Sequence, residues 1–273
     1  MLKNSKYKKT VLIGIIVLDL ISIYHVVNMI VQSKNKHECI KINLYAINGK
    51  PKKGASKQNG DLNTYEKIVK PIIDRILAFI GLILLFPICG LISIAIYTDD
   101  PGPIFFTQTR IGKNKKFFSL HKFRSMRMSA PHDVPTHLME NSDKYITRVG
   151  RVLRKTSLDE LPQIWDVFCG KMSIIGPRPA LWNQQDLIME RDRYGANDIF
   201  PGLTGLAQIS GRDELEISYK AALDGKYTAI LRKGGVTAFL QDVKCFAGTI
   251  VAVFKQDGVV EGGIKRRRRH VPE

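Results

Sequence analysis

The chain has 273 residues, of which 44% are hydrophobic and 25% charged, and its formal net charge is +17. This composition excludes a disordered chain and suits one large or two small domains. The excess of positive charge implies an anionic partner, which is nucleic acid, acidic lipid headgroups or a phosphorylated ligand.

Residues 1–34 are predicted to form an N-terminal membrane helix. Their apolar run, 11–31, would be about 31 Å long as a helix, close to the thickness of a bilayer core. A cleaved signal peptide is the alternative, but the run is long for one and no A-x-A cleavage site follows it. Residues 35–64 are rich in Lys, Asn and Gly and are predicted to be a basic linker.

A second apolar segment, 72–97, contains Pro87 near its middle. Proline removes a helix hydrogen bond and bends the helix axis, and neither arm of this segment is long enough to cross a bilayer. The pattern therefore predicts a membrane helix bent at Pro87. It leaves two arrangements open: a kinked helix that crosses the bilayer, or a re-entrant helix with both ends on one face.

The rest of the chain is typical of an α+β domain that is mostly helical. Runs at 104–111 and 117–123 flank a Gly-containing turn and predict a small β-hairpin. Further helices are predicted at 144–155, 180–194, 213–223 and 236–254, with loops at 126–142 and 200–205.

The last predicted helix, 236–254, has a broad apolar face. Core packing is the default interpretation of this face, and a position on a membrane surface is the alternative. Its members are Val236, Phe239, Leu240, Val243, Phe246, Ala247, Ile250, Val251 and Phe254. The basic tail 258–273 contains a run of Lys and Arg at 265–269 that is predicted to bind acidic lipid.

The adjacent carboxylates Asp159 and Glu160 follow a run of cations. They have a structural interpretation, since Ser157 and Glu160 match a capping box, or Asp159 is an N-cap with Pro162 at N3. They also suit a site for Mg²⁺ and a diphosphate, because Mg²⁺ prefers carboxylate oxygen. A second acidic pair at 213–214 lacks the dense upstream arginines, and Asp213 is interpreted as a helix N-cap.

Cations near the acidic pair are candidate phosphate ligands, because arginine forms bidentate hydrogen bonds with phosphate oxygens. The alternative for each is a solvated cation or a headgroup contact. The first candidates are Arg154 and Arg178, followed by Lys122 and Arg124.

Several sequence blocks, taken in this order, resemble the bacterial sugar transferase family of monotopic phosphoglycosyl transferases. The resemblance covers residues 65–257. The blocks are 65–67 with the Pro-broken helix after it, 101–106, 122–126, 153–163, 176–179, 201–205, 207–208 and 211–212. Where many members have Ser before the helix proline, this chain has Phe86.

The resemblance implies transfer of a sugar 1-phosphate from a UDP-sugar to undecaprenyl phosphate, with release of UMP. It implies Asp159 as the nucleophile that carries the phosphosugar, Glu160 as its partner at Mg²⁺, and a re-entrant helix bent at Pro87. The domain is expected on the cytoplasmic face of the bacterial inner membrane, because more lysines follow the N-terminal helix than precede it, and its basic residues are expected to contact anionic lipid. The alternative is a scaffold of a polysaccharide assembly complex without catalysis, although such a scaffold would not need the acidic pair.

Nucleic acid is not an expected partner. The net charge of +17 would suit one, but the sequence has no recognition module and no set of stacking aromatic residues on a basic face. The sequence leaves open whether the chain forms a homo-oligomer, which sugar it transfers, and which polymer it serves.

Overall fold

The computed structural model of the protein describes residues 63–130, 142–211 and 215–255. Several predictions fall outside these residues and are not described further. They concern the N-terminal membrane helix 1–34, nearly all of the linker 35–64, most of the loop 126–142, the acidic pair 213–214 and the basic tail 258–273.

Helix α1, Lys70–Asp99, is the dominant apolar element and continues a π-helical turn over Tyr65–Val69. It passes through Pro87 and contains the whole predicted segment 72–97, so the predicted helix is confirmed. Among the described residues, 65–99 is the one helix long and apolar enough to cross a membrane. Its re-entrant course and its bend at Pro87 stay predictions.

One stripe of α1 packs against the folded domain near both helix ends. Ala78 lies in a cluster with residues from the hairpin and from the segment after the acidic pair: Phe118, Leu120, Val167 and Met172. Near the other end, Ile92 and Ile96 pack against Phe123 and Leu153. The remaining faces of the helix expose large apolar side chains, such as Ile76 and Leu84.

The predicted hairpin is confirmed as β1, Phe105–Ile111, paired antiparallel with β2, Phe117–Phe123. Asn114 in the connecting turn has φ 54°, in the left-handed region that Asn tolerates better than most residues. The register sets Phe105 opposite Phe123, and the two rings stack at 5.4 Å between centroids.

Helix α2, Arg148–Thr156, begins four residues later than the predicted helix 144–155. The reason is a competing pairing, because Ile146 forms a bridge with Met126 and the Tyr145 carbonyl accepts a hydrogen bond from the Arg127 nitrogen. Thr147 then caps the helix, and its side chain accepts from the Gly150 nitrogen at 2.9 Å. A 3₁₀ turn, Leu158–Glu160, and helix α3, Gln163–Phe168, follow.

Strand β3, Ser173–Ile175, pairs in parallel with β4, Gly202–Thr204, so the prediction of a loop over 200–205 is wrong for these residues. The pairing brings two Gly-containing turns together, since the Gly202 nitrogen donates to the Pro177 carbonyl at 2.9 Å. A side chain on Gly202 would collide with the Gly176 backbone, which explains glycine there.

The remaining helices are α4, Gln185–Asp192, α5, Leu206–Ile209, α6, Ile217–Lys233, and α7, Gly235–Lys255. Helix α4 is shorter than the predicted 180–194 because Leu181 forms a bridge with Arg110 at the hairpin. Helix α6 begins after the predicted start at 213 and extends ten residues beyond 223. The predicted helix 236–254 is confirmed as α7.

The core-packing interpretation of the apolar face of α7 is wrong for most of its members. The inward face of the helix consists instead of Ala238, Asp242 and Cys245, all of which are buried. The predicted core residues that are exposed are Val236, Phe239, Leu240, Val243, Phe246, Ala247, Ile250 and Val251. The architecture is therefore mostly helical, with two small two-stranded sheets and one long apolar helix.

Candidate active site

The acidic pair lies in the 3₁₀ turn Leu158–Glu160, between α2 and α3. Ser157 ends α2 with φ 58° and ψ 17°, a left-handed conformation that reverses the chain before the pair. Both helix-capping interpretations are wrong, because Ser157 makes no side-chain cap bond and the N-cap of α3 is Pro162. The carboxylates are therefore not needed to cap a helix.

Glu160 is held by two cations from different parts of the chain. The Lys122 Nζ lies 2.8 Å from Glu160 Oε1, and Arg178 Nη1 donates to Oε2 at 3.0 Å while its Nη2 contacts Oε1. Burial alone would raise the pKa of Glu160, but Arg178 and Lys122 outweigh burial and hold that pKa well below its usual range. Glu160 is thus a fixed anion that orients both cations.

Asp159 is buried, with 9% of its surface exposed, and its nearest ion-pair contact is Lys122 Nζ at 3.9 Å from Oδ2. Burial raises the pKa of Asp159; Lys122 opposes this shift and the Glu160 charge adds to it. The two neighbouring carboxyls therefore differ in their environments. Glu160 is paired directly, whereas Asp159 is the more basic of the two.

The other predicted phosphate ligands lie in two different places. Arg154 donates from Nε to Ser125 Oγ at 2.9 Å, and its charge lowers the pKa of Asp159, so it lies in the electrostatic field of the pair. Arg124 is buried, and its guanidinium contacts the Asp100 carboxylate at 3.1 Å and the Asp100 carbonyl. Arg124 thus joins the hairpin to the end of α1, while Lys122, Arg154 and Arg178 surround the acidic pair.

A buried ion pair that the sequence analysis did not predict contacts the main chain of Arg178. Arg191 in α4 donates from Nε and Nη2 to Asp224 Oδ2 at 2.8 and 2.6 Å. Its Nη1 donates to the main-chain carbonyl of Arg178 at 2.9 Å. Sequence patterns carried no signal for this contact, since Arg191 and Asp224 are 33 residues apart and lie on separate helices.

His121 and Asp166 connect the strand of Lys122 to the helix that follows the acidic pair. The His121 main-chain nitrogen donates to Asp166 Oδ2 at 2.9 Å, and the ring Nδ1 lies 2.7 Å from Oδ1. Both side chains are fully buried. This contact joins β2 to α3 and so fixes the distance between Lys122 and the pair.

Two carboxylates make a partial set of metal ligands. In the ranges that the structure describes, His, Cys, Asp and Glu form no group of three or more that could hold a metal without other ligands. Mg²⁺ is commonly bound by one or two carboxylates together with substrate phosphate oxygens, so this donor chemistry fits Mg²⁺ with a diphosphate bound. Asp159, which lacks the close ion pairs of Glu160, would be the first ligand and Glu160 the second.

Residues 65–256 match the sequence pattern of the family described as bacterial sugar transferase. The match covers well over half of the chain, so the chain belongs to the bacterial sugar transferase family. The resemblance found in the sequence blocks is thereby confirmed.

Individual relatives come from diverse bacteria. The UDP-glucose:undecaprenyl-phosphate glucose-1-phosphate transferase of Xanthomonas campestris pv. campestris is 40% identical over 158 residues, covering 57% of this chain and 33% of that protein. The galactosyl transferase CpsE of Streptococcus agalactiae is 38% identical over 166 residues, covering 54% of this chain and 35% of that protein. The exopolysaccharide production protein ExoY of Rhizobium meliloti is 33% identical over 190 residues, covering 63% of this chain and 81% of that protein.

The aligned region thus spans only about a third of the first two relatives, at 33% and 35% of their lengths. It spans most of the ExoY protein, at 81%. The family pattern itself covers residues 65–256, which include the apolar helix α1 and the acidic pair.

Proposed function

We propose that this protein transfers a sugar 1-phosphate from a UDP-sugar to undecaprenyl phosphate, releasing UMP and forming an undecaprenyl diphosphate sugar. The observation that supports this most directly is the acidic pair, in which Glu160 is held by Lys122 and Arg178 at hydrogen-bond distance, whereas the ion pair of Asp159 with Lys122 is longer, at 3.9 Å. The relatives supply the substrate classes, since several of them are named as undecaprenyl-phosphate sugar-phosphate transferases.

In the proposed first step, an Asp159 carboxylate oxygen attacks the sugar-bearing phosphorus of the donor. A bond forms between that oxygen and phosphorus, the bond from phosphorus to the bridging oxygen breaks, and UMP leaves with the electron pair. The product is an acyl phosphate of Asp159 that carries the sugar. No proton is required, because the carboxylate attacks as an anion and UMP leaves as a phosphate dianion.

In the second step, a phosphate oxygen of undecaprenyl phosphate attacks the same phosphorus. The bond from phosphorus to Asp159 breaks, the free carboxylate returns, and the undecaprenyl diphosphate sugar is complete. Dividing one displacement into two allows the soluble donor and the lipid acceptor to use the same site in turn.

The residues around the pair reduce repulsion between anions, which is the main barrier to attack on a diphosphate. Lys122 and Arg178 offset the Glu160 charge and are cations of the kind that bind phosphate oxygens, and Arg154 adds a further cation near Asp159. Mg²⁺ held by Asp159 and Glu160 would supply additional charge neutralisation at the diphosphate.

We propose that α1 is re-entrant and keeps the domain on the cytoplasmic face of the bacterial inner membrane. The support is that both helix ends contact the same folded domain, since Lys70 donates to Asp242 at 2.8 Å and Ile96 packs against Phe123. A helix that crossed a bilayer would carry its two ends to opposite faces. A site at the interface meets a lipid acceptor that cannot leave the membrane and a donor that is soluble.

The reaction can be tested with the full chain in membranes, a panel of UDP-sugars and undecaprenyl phosphate. We expect UMP release with at least one donor, loss of release in Asp159→Asn, and loss on chelation of Mg²⁺ with EDTA. Turnover by Asp159→Asn would remove the nucleophile role, and turnover in EDTA would remove the metal. Failure of every UDP-sugar would favour the scaffold alternative.

The re-entrant course can be tested separately with Lys67→Cys and Pro101→Cys, at exposed positions beside the two ends of α1, in intact right-side-out and inverted vesicles. A membrane-impermeant maleimide should label both positions from the same side. Labelling of the two positions from opposite sides would show that α1 crosses the bilayer.

A further inference from the structure

Both carboxylate oxygens of Glu160 are covered by cations of the chain itself. Arg178 Nη1 donates to Oε2 at 3.0 Å while its Nη2 contacts Oε1, and Lys122 Nζ donates to Oε1 at 2.8 Å. A divalent cation bound to Glu160 would lie directly against a guanidinium and an ammonium group, which would repel it. Glu160 can therefore serve as a ligand of Mg²⁺ once one of these two cations moves away.

The charges around the acidic pair favour a metal ion that arrives together with an anion. Three cations act on the two carboxylates, namely Lys122, Arg154 and Arg178, so positive charge is in excess by one. A divalent cation alone would increase this excess, whereas the diphosphate of a nucleotide sugar brings negative charge that offsets it. Mg²⁺ accordingly suits this site with substrate phosphates among its ligands.

Arg178 is the cation better placed to move. Its side chain is 39% exposed, against 18% for Lys122, which also lies 3.9 Å from Asp159 and so bridges the two carboxylates. The main chain of Arg178 is held by the bond from Arg191 to its carbonyl, at 2.9 Å. The guanidinium can therefore turn about a fixed main chain, toward a phosphate beside the carboxylate next to the one it contacts.

We propose that Arg178 exchanges partners when the donor binds, so that its guanidinium leaves Glu160 and takes up phosphate oxygens of the donor diphosphate. The exchange uncovers Glu160 as the second carboxylate ligand of Mg²⁺, beside Asp159. It is favoured because the planar fork that fits a carboxylate also fits a phosphate. The inference rests on the proposed function, which supplies the donor, and adds that the metal and the donor bind as a coupled pair.

Coupling of this kind has a measurable signature. By thermodynamic linkage, the donor raises the affinity for the metal by the factor by which the metal raises the affinity for the donor, typically about 5–150-fold. Without the donor, Arg178 competes with the metal for Glu160. Removing Arg178 should therefore strengthen binding of the metal alone, although the residue belongs to the active site.

The test measures metal affinity by electron paramagnetic resonance of Mn²⁺, which stands in for Mg²⁺ and loses its solution signal on binding. The full chain is placed in nanodiscs of phosphatidylcholine, which has no net charge. The donor probe is UDP with a methylene bridge between its phosphorus atoms, so the bond that breaks in the proposed first step is absent. Nanodiscs without protein, with and without this probe, correct for Mn²⁺ held by lipid or by the nucleotide.

We expect the methylene-bridged UDP to tighten Mn²⁺ binding to the native protein by about 10-fold or more. Arg178→Ala should bind Mn²⁺ alone several-fold more tightly than the native protein, and the probe should then have a smaller effect. Arg154→Ala is the matched control, because it removes a positive charge beside Asp159 but leaves the contact of Arg178 with Glu160 in place. Its gain in Mn²⁺ affinity should be smaller, and the effect of the probe should persist.

Three results would overturn the proposal. They are an Mn²⁺ affinity of Arg178→Ala no higher than that of Arg154→Ala, a gain that survives when Arg178→Ala is combined with Glu160→Gln, and no effect of the probe on the native protein. The last needs no variant, so it decides the matter even if thermal unfolding shows that Arg178→Ala does not fold. Because no turnover is measured, these results would leave the proposed reaction untouched, whereas absence of UMP release with every UDP-sugar would count against that reaction.

Discussion

Arg191 and Asp224 form a buried ion pair that reaches the candidate active site through the main chain of Arg178. The guanidinium donates twice to Asp224, at 2.8 and 2.6 Å, and once to the Arg178 carbonyl at 2.9 Å. The Arg178 side chain in turn forms the bidentate contact with Glu160. The position of the cation therefore depends on a pair that does not itself contact the acidic residues.

We expect Arg191→Ala to lower kcat for UMP release by about 10²-fold, since small displacements of a positioning group have effects of this size. If Arg191 acts through Arg178, the double variant with Arg178→Ala should be little worse than Arg178→Ala alone. Losses that multiply in the double variant would show that Arg191 acts independently of Arg178. Thermal unfolding of each variant separates this effect from a general loss of structure.

The bidentate geometry of Arg178 should matter more than its charge. Arg178→Lys keeps one positive charge but loses the planar fork, and we expect activity to fall by about 10²-fold, as when one preorganised donor is removed. The control is Arg193→Lys, because Arg193 pairs with Glu190 at 2.9 Å on the surface, with 72% of its side chain exposed. Equal activity of both variants in the UMP assay would contradict the assigned role of Arg178.

The acid limb of the pH–rate profile should report Asp159. The nucleophile is active when ionised, and burial raises the pKa of Asp159. As the pH falls, activity should therefore be lost at a pH above the ordinary aspartate pKa of about 3.9. Because the Glu160 charge raises the Asp159 pKa further, Glu160→Gln should move the limb of any remaining activity to lower pH. A higher Mg²⁺ concentration should also move the acid limb to lower pH. An acid limb at or below pH 3.9, about the ordinary aspartate pKa, in the native enzyme would contradict the assignment to Asp159.

Asp242 should contribute strongly to stability, because it joins α7 to the start of α1. Its oxygens accept from Tyr65, Lys70 and Tyr227 at 2.7 to 2.8 Å. Breaking a buried ion pair by removing one partner costs about 3–5 kcal/mol, and we expect Asp242→Asn to lower the free energy of unfolding by that order. The surface control Asp198→Asn, which breaks the pair with Arg232, should cost about 1 kcal/mol or less.

Local patterns were sufficient for the elements whose structure depends on neighbouring residues. The β-forming runs 104–111 and 117–123 on either side of a Gly-containing turn predicted the hairpin, and the apolar run around Pro87 predicted α1. The acidic pair was recognisable because adjacent carboxylates after a run of cations are a local feature. Lys122 and Arg178 were candidate phosphate ligands, but their contacts with Glu160 were not predicted, since 38 and 18 residues separate them from it.

Features that depend on distant contacts could not be derived from local patterns. Strand β4 is three residues long and exists because the Gly202 backbone fits against Gly176. The period of 3.6 identified the apolar face of α7 but not the medium it contacts, and the expected core face is the exposed one. The bonds of Arg191 to Asp224 and to the Arg178 carbonyl likewise follow from the packing of α4 on α6.

The central claim is that Asp159 carries the sugar phosphate between the two half-reactions. The most direct measurement is intact-protein and peptide mass spectrometry of the enzyme mixed with a UDP-sugar that it turns over, without undecaprenyl phosphate and with rapid acid quenching. The account predicts an added mass of one phosphosugar on the peptide that contains Asp159, its loss when acceptor is added, and its absence in Asp159→Asn. UMP release on addition of acceptor, with no adduct at any time before it, would contradict the claim.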